Sequence, residues 1–244
     1  MPTTIIGIRI LPSPSRPATE HLERLAALPT PNISDNMQRH CGAAAGLRPY
    51  HRGGKLIGPA FTVKTRPGDN LLVHKAIDMA GPGDVIVVDA GGEVAQAIIG
   101  EIMTTHAAKR GIAGFVIDGA IRDADAIASA NFPVFARGVT HRGPYKDGPG
   151  EINVAVCIGG MVVNPGDIIV GDADGVLAVP QDMAEAVIAA ASAQNQKEEA
   201  TLAAIAAGTI DRRWVDEMLR QKAYVLPGAP NAPDAPSAPK KGRK

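Results

Sequence analysis

The chain has 244 residues, which is enough to bury a full hydrophobic core. Its 25 Lys and Arg residues balance its 25 Asp and Glu residues, and aromatic residues make up only 3% of the sequence. This composition argues against a charged field or a base-stacking surface, so we predict no nucleic-acid partner and no membrane partner.

The cysteines and the hydropathy pattern predict a cytoplasmic protein. Cys41 and Cys157 are far apart and do not have the spacing of a metal site, so we expect reduced thiols. The first thirty residues contain no continuous apolar segment of the kind that signals secretion. No apolar run approaches the roughly 20 residues that cross a bilayer.

The N-terminal third predicts short elements separated by proline and glycine. Residues 1–18 are rich in proline and predict an irregular arm. The elements that follow are a helix at 19–25 ended by Pro29 and Pro31, a helix from Ile33 with Ser34 as its cap, a strand at 55–64 interrupted at Gly58-Pro59, and a helix at 70–80.

The middle of the chain alternates strands and helices. The predicted elements are a strand at 84–89, a helix at 100–110, a strand at 114–118 followed by a turn at 119–122, a helix from 123 to about 130, and a strand at 132–136. Strands separated in this way by helices are joined by parallel crossovers.

The C-terminal third predicts short strands at 152–158, 161–163, 168–170 and 175–179, followed by helices at 182–194, 198–207 and 211–224. Residues 226–244 form a Pro/Ala-rich segment that predicts a disordered tail. The fold class is therefore α/β: a β-sandwich or barrel-like core with parallel β-α-β crossovers and flanking helices.

Three charged residues are predicted to meet at one edge of the sheet. Glu101, Arg122 and Asp123 each follow a predicted strand or begin the helix after it. Open α/β sheets bind ligands at the carboxyl ends of their strands. Gly100 permits close approach of the backbone, and free amides at the helix start, Glu101 to Met103, would suit a carboxylate.

The residue types at this edge suit a metal-assisted reaction of an anion. Arg122 offers a planar fork for a carboxylate or an enolate oxygen, and Asp123 is a hard oxygen ligand for Mg²⁺ or Mn²⁺. Asn70 is a further candidate to face the site, whereas His74 is expected at the core edge or surface. The alternative is a structural salt bridge in which Asp123 only caps its helix.

An acidic residue after a glycine, twenty intervening residues and an Arg-Asp pair resemble the signature of one protein family. It contains class II pyruvate aldolases that act on 4-hydroxy-4-methyl-2-oxoglutarate and 4-carboxy-4-hydroxy-2-oxoadipate, and regulators of ribonuclease activity A. The resemblance extends over about residues 30–208 and includes these motifs: G-P-A-F-T-V from Gly58, P-G-D-N from Pro67, P-G-D-V-I-V-V-D from Pro82, R-G-I-A-G-F-V-I-D-G-A-I-R-D from Arg110, F-P-V-F-A from Phe132 and N-P-G-D-I-I-V-G-D-A-D-G-V from Asn164.

The resemblance implies roles for the residues of the predicted site. The substrate would be bound by Arg122 and by the segment Gly100, Glu101, Ile102 and Met103. Asp123 would hold a divalent cation, Mg²⁺ or Mn²⁺, largely through water molecules. Glu101 stands where many family members have aspartate, which lengthens the side chain and keeps its charge.

The resemblance also implies an assembly. A homotrimer, or a hexamer made of two such trimers, would place active sites between subunits. A neighbouring subunit would supply a catalytic carboxylate, for which Glu199, or alternatively Glu198, lies in about the right place. The fold would be of the swivelling β/β/α type, with residues 19–225 as a single catalytic domain.

The implied function is a Mg²⁺- or Mn²⁺-dependent aldolase, a carbon-carbon lyase. It would release pyruvate from a 4-hydroxy-2-oxo acid, decarboxylate oxaloacetate as a side activity, and serve the catabolism of aromatic acids. Two alternatives remain open: a non-catalytic regulator that binds an RNA-processing enzyme, and a related metal-dependent lyase for another 2-keto acid.

Overall fold

The computed structural model of the chain describes residues 5–226. The strands in this range are β1 (Ile8–Ile10), β2 (Arg48–Pro49), β3 (Leu56–Thr65), β4 (Val85–Asp89), β5 (Ala97–Ile99), β6 (Gly114–Ile121), β7 (Val134–Val139), β8 (Gly150–Ile152), β9 (Val156–Ile158), β10 (Met161–Val163), β11 (Ile168–Asp172) and β12 (Gly175–Val179). The helices are α1 (Thr19–Ala26), α2 (Thr30–Asn36), α3 (Leu71–Met79), α4 (Glu101–Lys109), α5 (Ala124–Ala130), α6 (Ala184–Ala206) and α7 (Arg213–Gln221).

Ten of the strands form one mixed sheet. Its main order is β1-β8-β3-β4-β6-β7-β2. In addition, β11 pairs with β3 and with β12, and β5 pairs with β6. The strands β3, β4, β6 and β7 are parallel to one another, and α3, α4 and α5 lie in the connections between them. The predicted parallel crossovers are therefore confirmed.

Both faces of the parallel strands are buried. In β4, the side chains of Val85 and Val87 enter one hydrophobic cluster, whereas Ile86 and Val88 enter another. The first cluster includes residues of β9 to β12, α1, α2 and the start of α6, and the second includes residues of α3, α4 and α5. Double burial explains the continuous apolar runs in these strands, and it confirms the predicted α/β class with a β-rich core and flanking helices.

The predicted interruption of β3 at Gly58-Pro59 is wrong. Residues 56–59 pair with the antiparallel β11, and pairing with the parallel β4 begins at Ala60. Pro59 thus lies where the strand exchanges partners, a position that tolerates a missing N–H. A Cβ atom on Gly58 would lie 2.1 Å from the carbonyl oxygen of Gly83, so this glycine reflects close approach of another backbone segment.

The predicted turn at 119–122 is also largely strand. β6 continues to Ile121 because β5 pairs with its last residues: Ala97 with Ala120, and Ile99 with Ile121. A strand of three residues is too short to show a hydrophobic pattern, so β5 was not predicted. As a consequence, Arg122 directly follows the carboxyl end of an eight-residue strand.

The arm predicted to be irregular contributes a strand to the sheet. β1 pairs in parallel with β8, and the N–H of Leu11 donates to the carbonyl of Ile152 at 3.1 Å. An ion pair joins Arg9 to the buried Glu151. The Arg9 guanidinium holds the pKa of the Glu151 carboxyl below its usual range, although burial opposes this shift.

The chain divides into two compact units, Met1–Asn195 and Gln196–Lys244. The boundary falls within α6, inside the region that the sequence assigns to one domain at 19–225. The predicted disordered tail, 226–244, lies outside the described residues apart from residue 226. Within residues 5–226, no helix combines the length and the apolar character needed to cross a membrane.

We predict that Arg9→Ala lowers the free energy of unfolding by about 2 kcal/mol at pH 7, because it leaves the Glu151 charge buried without its partner. A lowered carboxyl pKa stabilises the fold above the unfolded value, and this stabilisation is lost as the pH falls through the folded value. Urea unfolding between pH 7 and pH 3 should therefore show a steeper loss for the wild type. Parallel curves would contradict the ion-pair assignment.

Candidate active site

Gly100 allows two side chains from the next crossover to approach the start of α4. It occupies the N-cap position of this helix in an extended conformation. A Cβ atom at residue 100 would lie 2.4 Å from Oδ2 of Asp123 and 2.9 Å from Cγ of Arg122. Any larger residue would displace both side chains, so this glycine is required by close approach and not by its backbone angles.

Asp123 faces the start of α4 and does not cap its own helix. It occupies the N-cap position of α5, but its side chain makes no capping hydrogen bond. Its Oδ2 atom instead accepts a hydrogen bond of 3.0 Å from the N–H of Glu101, and it lies 3.6 Å from Nε of Arg122. The predicted cap of α5 by the Asp123 side chain is therefore wrong, whereas the salt bridge of the same alternative is present as the contact with Arg122.

The backbone of Asp123 is left-handed, with φ at 57° and ψ at 39°. Asp and Asn adopt this region more readily than most residues. The conformation turns the chain sharply between β6 and α5, and the carboxylate then lies at the positive end of the α4 dipole.

The predicted free amides at the start of α4 are largely occupied. The N–H of Glu101 donates to Asp123, and the N–H groups of Met103 and Thr104 donate to the carbonyl of Gly100 at 3.1 Å each. The helix start therefore holds the Asp123 carboxylate through the N–H of Glu101, and a role of this segment in binding a substrate carboxylate stays a prediction.

A cavity of about 220 Å³ lies beside this pair of loops. Four of the predicted substrate-binding residues line it: Gly100, Ile102, Met103 and Arg122. Asn70, which precedes α3, and His74 of α3 line it as well. Lys146, from the loop after β7, is a further lining residue. Glu101 and Asp123 do not line the cavity, although they are hydrogen-bonded to each other and adjoin the lining residues Gly100, Ile102 and Arg122 in sequence.

The wall formed by α3 and the loop after β7 depends on the buried Asp69. Its carboxylate accepts hydrogen bonds from the N–H groups of Leu71, Asp147 and Gly148 at 2.8 to 2.9 Å, and Arg66 lies 3.1 Å away. Burial alone would raise the pKa of Asp69, but these donors outweigh it and hold the pKa below its ordinary value. One carboxylate thus fixes two segments of the cavity wall.

His74 and Lys146 are site residues that sequence reasoning missed. His74 follows Asn70 by four residues, which places both on one face of α3, and this spacing is a signal that could have identified it. Burial lowers the pKa of His74, and the nearby positive charge of Lys146 acts in the same direction. Lys146 lies in a loop that has no periodic pattern, so the sequence offers no comparable signal for it.

The residues present fit a divalent cation that keeps most of its water ligands. Residues 5–226 contain no group of three His, Cys, Asp or Glu side chains that could hold a metal. Asp123 retains one carboxylate oxygen, Oδ1, without a partner among these residues, and its side chain is 40% exposed. Mg²⁺ is commonly bound by one or two carboxylates and several waters, so Asp123 is a suitable ligand.

Glu199 and Glu198 lie in the second unit, on the C-terminal half of α6. A role for either residue in the site of a neighbouring subunit stays a prediction. Glu101 lies at the first position of α4, with its side chain exposed.

The fold defines an α/β protein with a cavity, the candidate site, at the carboxyl ends of parallel strands. A family model described as "RraA-like: Aldolase/RraA" matches residues 30–178. The chain therefore belongs to the RraA-like family.

Comparisons with individual proteins agree with this family. The chain is 40% identical over 206 residues to a protein of Halalkalibacterium halodurans named "Putative 4-hydroxy-4-methyl-2-oxoglutarate aldolase", covering 84% of this chain and 98% of that protein. An uncharacterized protein from Pseudomonas syringae has a similar structure, with a TM-score of 0.73, 32% identity, and coverage of 81% of this chain and 97% of that one. RraAS2 of Streptomyces coelicolor, described as an unusual member of the RNase ES inhibitor RraA protein family, gives a TM-score of 0.70 at 28% identity, with 76% and 96% covered.

We predict that Asp69→Asn lowers the free energy of unfolding by about 2 kcal/mol at pH 7, because the amide cannot accept all of the backbone hydrogen bonds. The difference from wild type should shrink as the pH falls through the folded pKa of Asp69, which lies below its ordinary value. Chemical denaturation at pH 7 and pH 3 measures both effects. The control is Asp147→Asn, whose side chain is 78% exposed; an equal loss in this variant would contradict the role of Asp69.

Proposed function

We propose that the protein is a class II aldolase that depends on Mg²⁺ or Mn²⁺ and releases pyruvate from a 4-hydroxy-2-oxo acid. The substrates that best fit the family are 4-hydroxy-4-methyl-2-oxoglutarate and 4-carboxy-4-hydroxy-2-oxoadipate. The observation that carries the proposal is the contact of Gly100, Arg122 and Asp123 beside a cavity with cationic walls. A relative that is 40% identical over almost its whole length bears the corresponding name.

The charges of the cavity suit a substrate with more than one carboxylate. Arg122 lies between β6 and α5, next to Gly100. It lines the cavity, and its guanidinium can bind the 2-oxo carboxylate in a planar fork. Lys146 lines the same cavity and offers a second positive charge for the distal carboxylate. A substrate with a single carboxylate would leave Lys146 without this partner.

The residues can perform aldol cleavage as follows. A carboxylate, Glu101 or Glu199 of a neighbouring subunit, removes the C4 hydroxyl proton directly or through a water that it positions. The C4 oxygen then forms a carbonyl, the C3–C4 bond breaks, and its electron pair passes to the pyruvate enolate. Arg122 stabilises the negative charge of this enolate. A divalent cation at Asp123 would polarise the 2-oxo group as a Lewis acid.

The same enolate explains the proposed side activity. Loss of carbon dioxide from oxaloacetate leaves its bonding electrons on pyruvate enolate, and protonation at C3 gives pyruvate. This reaction needs Arg122, which would bind the 2-oxo acid, and Asp123, which would hold the divalent cation, but it has no hydroxyl proton to remove. Comparing the two reactions therefore separates enolate stabilisation from proton removal.

The proposal includes a trimer or hexamer with active sites between subunits, in which Glu199 or Glu198 reaches a neighbour. Catabolism of aromatic acids is the proposed setting, since it produces 4-hydroxy-2-oxo acids. Sedimentation analysis would measure the assembly, and pyruvate release by Glu199→Gln and Glu198→Gln would identify the contributing carboxylate. A monomer with full aldolase activity would contradict this part of the proposal.

A regulator of an RNA-processing enzyme is the second candidate function. The similarity to Streptomyces coelicolor RraAS2, a member of a family named for RNase inhibition, favours it. The contact of Gly100 with Asp123 argues for catalysis, because binding through an outer surface does not require it. A protein that captures an RNA-degrading complex and converts no keto acid would replace the aldolase proposal.

We predict that Asp123→Asn reduces pyruvate release at least about 1000-fold in the presence of Mg²⁺, because it removes the proposed metal ligand. Asparagine also adopts the left-handed backbone conformation, so the melting temperature should stay close to that of the wild type. Pyruvate can be followed with lactate dehydrogenase and NADH. The matched control is Asp125→Asn, an exposed carboxylate two residues later. Full activity of Asp123→Asn, or turnover that survives EDTA, would overturn the proposal.

We predict that Lys146→Met raises the KM for 4-hydroxy-4-methyl-2-oxoglutarate about 10- to 100-fold, because it removes the cation for the distal carboxylate. The decarboxylation of oxaloacetate, whose second carboxylate leaves as carbon dioxide, should change less. Steady-state kinetics with both substrates tests this difference. Lys109→Met, at the exposed end of α4, is the control and should leave both KM values unchanged.

A further inference from the structure

Asn70 is buried at the cavity with a fixed side-chain orientation. It is only 3% exposed, and it lines the cavity together with Arg122. Its Nδ2 atom donates to the carbonyl of Ile98 at 2.9 Å and lies 3.4 Å from Sδ of Met103. Because only an N–H group can donate to the Ile98 carbonyl, this hydrogen bond determines which of the two amide atoms of Asn70 is the oxygen Oδ1.

This oxygen lacks a hydrogen-bond partner. Residues 5–226 contain three buried side-chain atoms of this kind: Oγ1 of Thr30, Oδ1 of Asn70 and Oδ1 of Asn153. Only the Asn70 atom belongs to a residue of the cavity beside Arg122. An unsatisfied buried acceptor destabilises a fold, so its retention at a cavity points to a ligand that supplies the missing donor.

The sequence position of Asn70 explains how the oxygen is kept available. An asparagine at a helix N-cap normally accepts a hydrogen bond from the first turn. Here the preceding residue, Asp69, accepts the N–H of Leu71 in its place. The N–H of Asn70 donates to the carbonyl of Tyr145, and its own carbonyl accepts the N–H of His74. The backbone of Asn70 is thus fixed on both sides, and the residue lines the cavity while its amide oxygen stays without a partner.

The chemistry of an amide oxygen limits what it can bind. It accepts hydrogen bonds and cannot donate them, so the carboxylates and the keto oxygen of a 2-oxo acid are unsuitable partners. A hydroxyl group or a water molecule is suitable. In the proposed substrates, the C4 hydroxyl is the O–H group of the reacting carbon skeleton, and its proton must leave during cleavage.

We propose that Oδ1 of Asn70 accepts a hydrogen bond from a water molecule that bridges the C4 hydroxyl of the substrate and the catalytic carboxylate. This water accepts the C4 proton and passes its other hydrogen to the carboxylate, so Asn70 is the positioning residue for the proton transfer. This inference rests on the proposed aldolase function and deepens it. Glu101 does not line the cavity, so a bridging water is needed to connect the substrate with that carboxylate.

The test compares two reactions in Asn70→Ala. Cleavage of 4-hydroxy-4-methyl-2-oxoglutarate should fall about 100-fold, whereas decarboxylation of oxaloacetate, which has no hydroxyl proton to remove, should stay within about threefold. A merely structural role would lower both reactions together, so equal losses would overturn the inference. Unchanged cleavage would overturn it as well. Asn70→Ser, which favours a helix N-cap, takes the place of Asn70→Ala if that variant does not fold.

Binding tests the same contact. Because the water held by Asn70 accepts a hydrogen bond from the C4 hydroxyl, the wild type should bind 4-hydroxy-4-methyl-2-oxoglutarate more tightly than 4-methyl-2-oxoglutarate, and Asn70→Ala should lose this preference. Inhibition of oxaloacetate turnover gives the inhibition constant of each ligand. Equal constants in the wild type would overturn the inference.

Asn153→Ala is a matched control. Asn153 is also buried, its Nδ2 donates to the carbonyl of Leu11, and its Oδ1 has no partner, but it does not line the cavity beside Arg122. This variant should lose stability and keep the ratio of the two reactions. If the wild type converts neither keto acid, the proposed function fails, and calorimetry with the same pair of stable ligands still tests Asn70. Equal binding of that pair would then overturn the inference.

Discussion

The site depends on one steric constraint: the carboxylate of Asp123 lies where a side chain at residue 100 would be. Because residue 100 is glycine, the turn after β6 can approach the start of α4 closely enough for a 3.0 Å hydrogen bond between Asp123 and the Glu101 amide. The parallel pairing of β5 with β6, which sets Ile99 opposite Ile121, places the start of α4 beside the turn after β6. Sheet register, glycine and left-handed turn together place a carboxylate at a helix N-terminus, where the dipole favours its negative charge.

The cavity wall formed by α3 and the loop after β7 is stabilised by a different kind of interaction. It is held by the buried carboxylate of Asp69, which accepts hydrogen bonds from the amides of two segments distant in sequence. Since Asp69 satisfies the start of α3 and the loop after β7 together, Asn70 and Lys146 become parts of one surface. The two walls supply complementary chemistry. In the proposed function, one would carry the charges for an enolate and a cation, and the other would carry groups for the rest of the ligand.

Sequence reasoning predicted the first wall much better than the second. The strands β4 and β6 and the helix between them follow from doubly buried apolar runs and a glycine cap, and they place Arg122 and Asp123 correctly at a strand end. The pairing of β1 with β8 and the role of Asp69 depend on contacts between residues about 80 to 140 positions apart. Neither leaves a local pattern in the sequence. The sequence leaves two interpretations of Asp123, a metal ligand and a helix cap, because the surrounding residues are compatible with both. Only the direction of its side chain distinguishes a cap of α5 from a contact with α4.

The left-handed backbone at residue 123 has a consequence for the history of the family. Few residues adopt this conformation without strain, and asparagine and glycine are among them. A single exchange there would remove the carboxylate while the turn and the surrounding sheet persist. The fold and the chemistry can therefore be inherited separately. A descendant that lost the reaction would keep the same outer surface, on which selection could build a binding role.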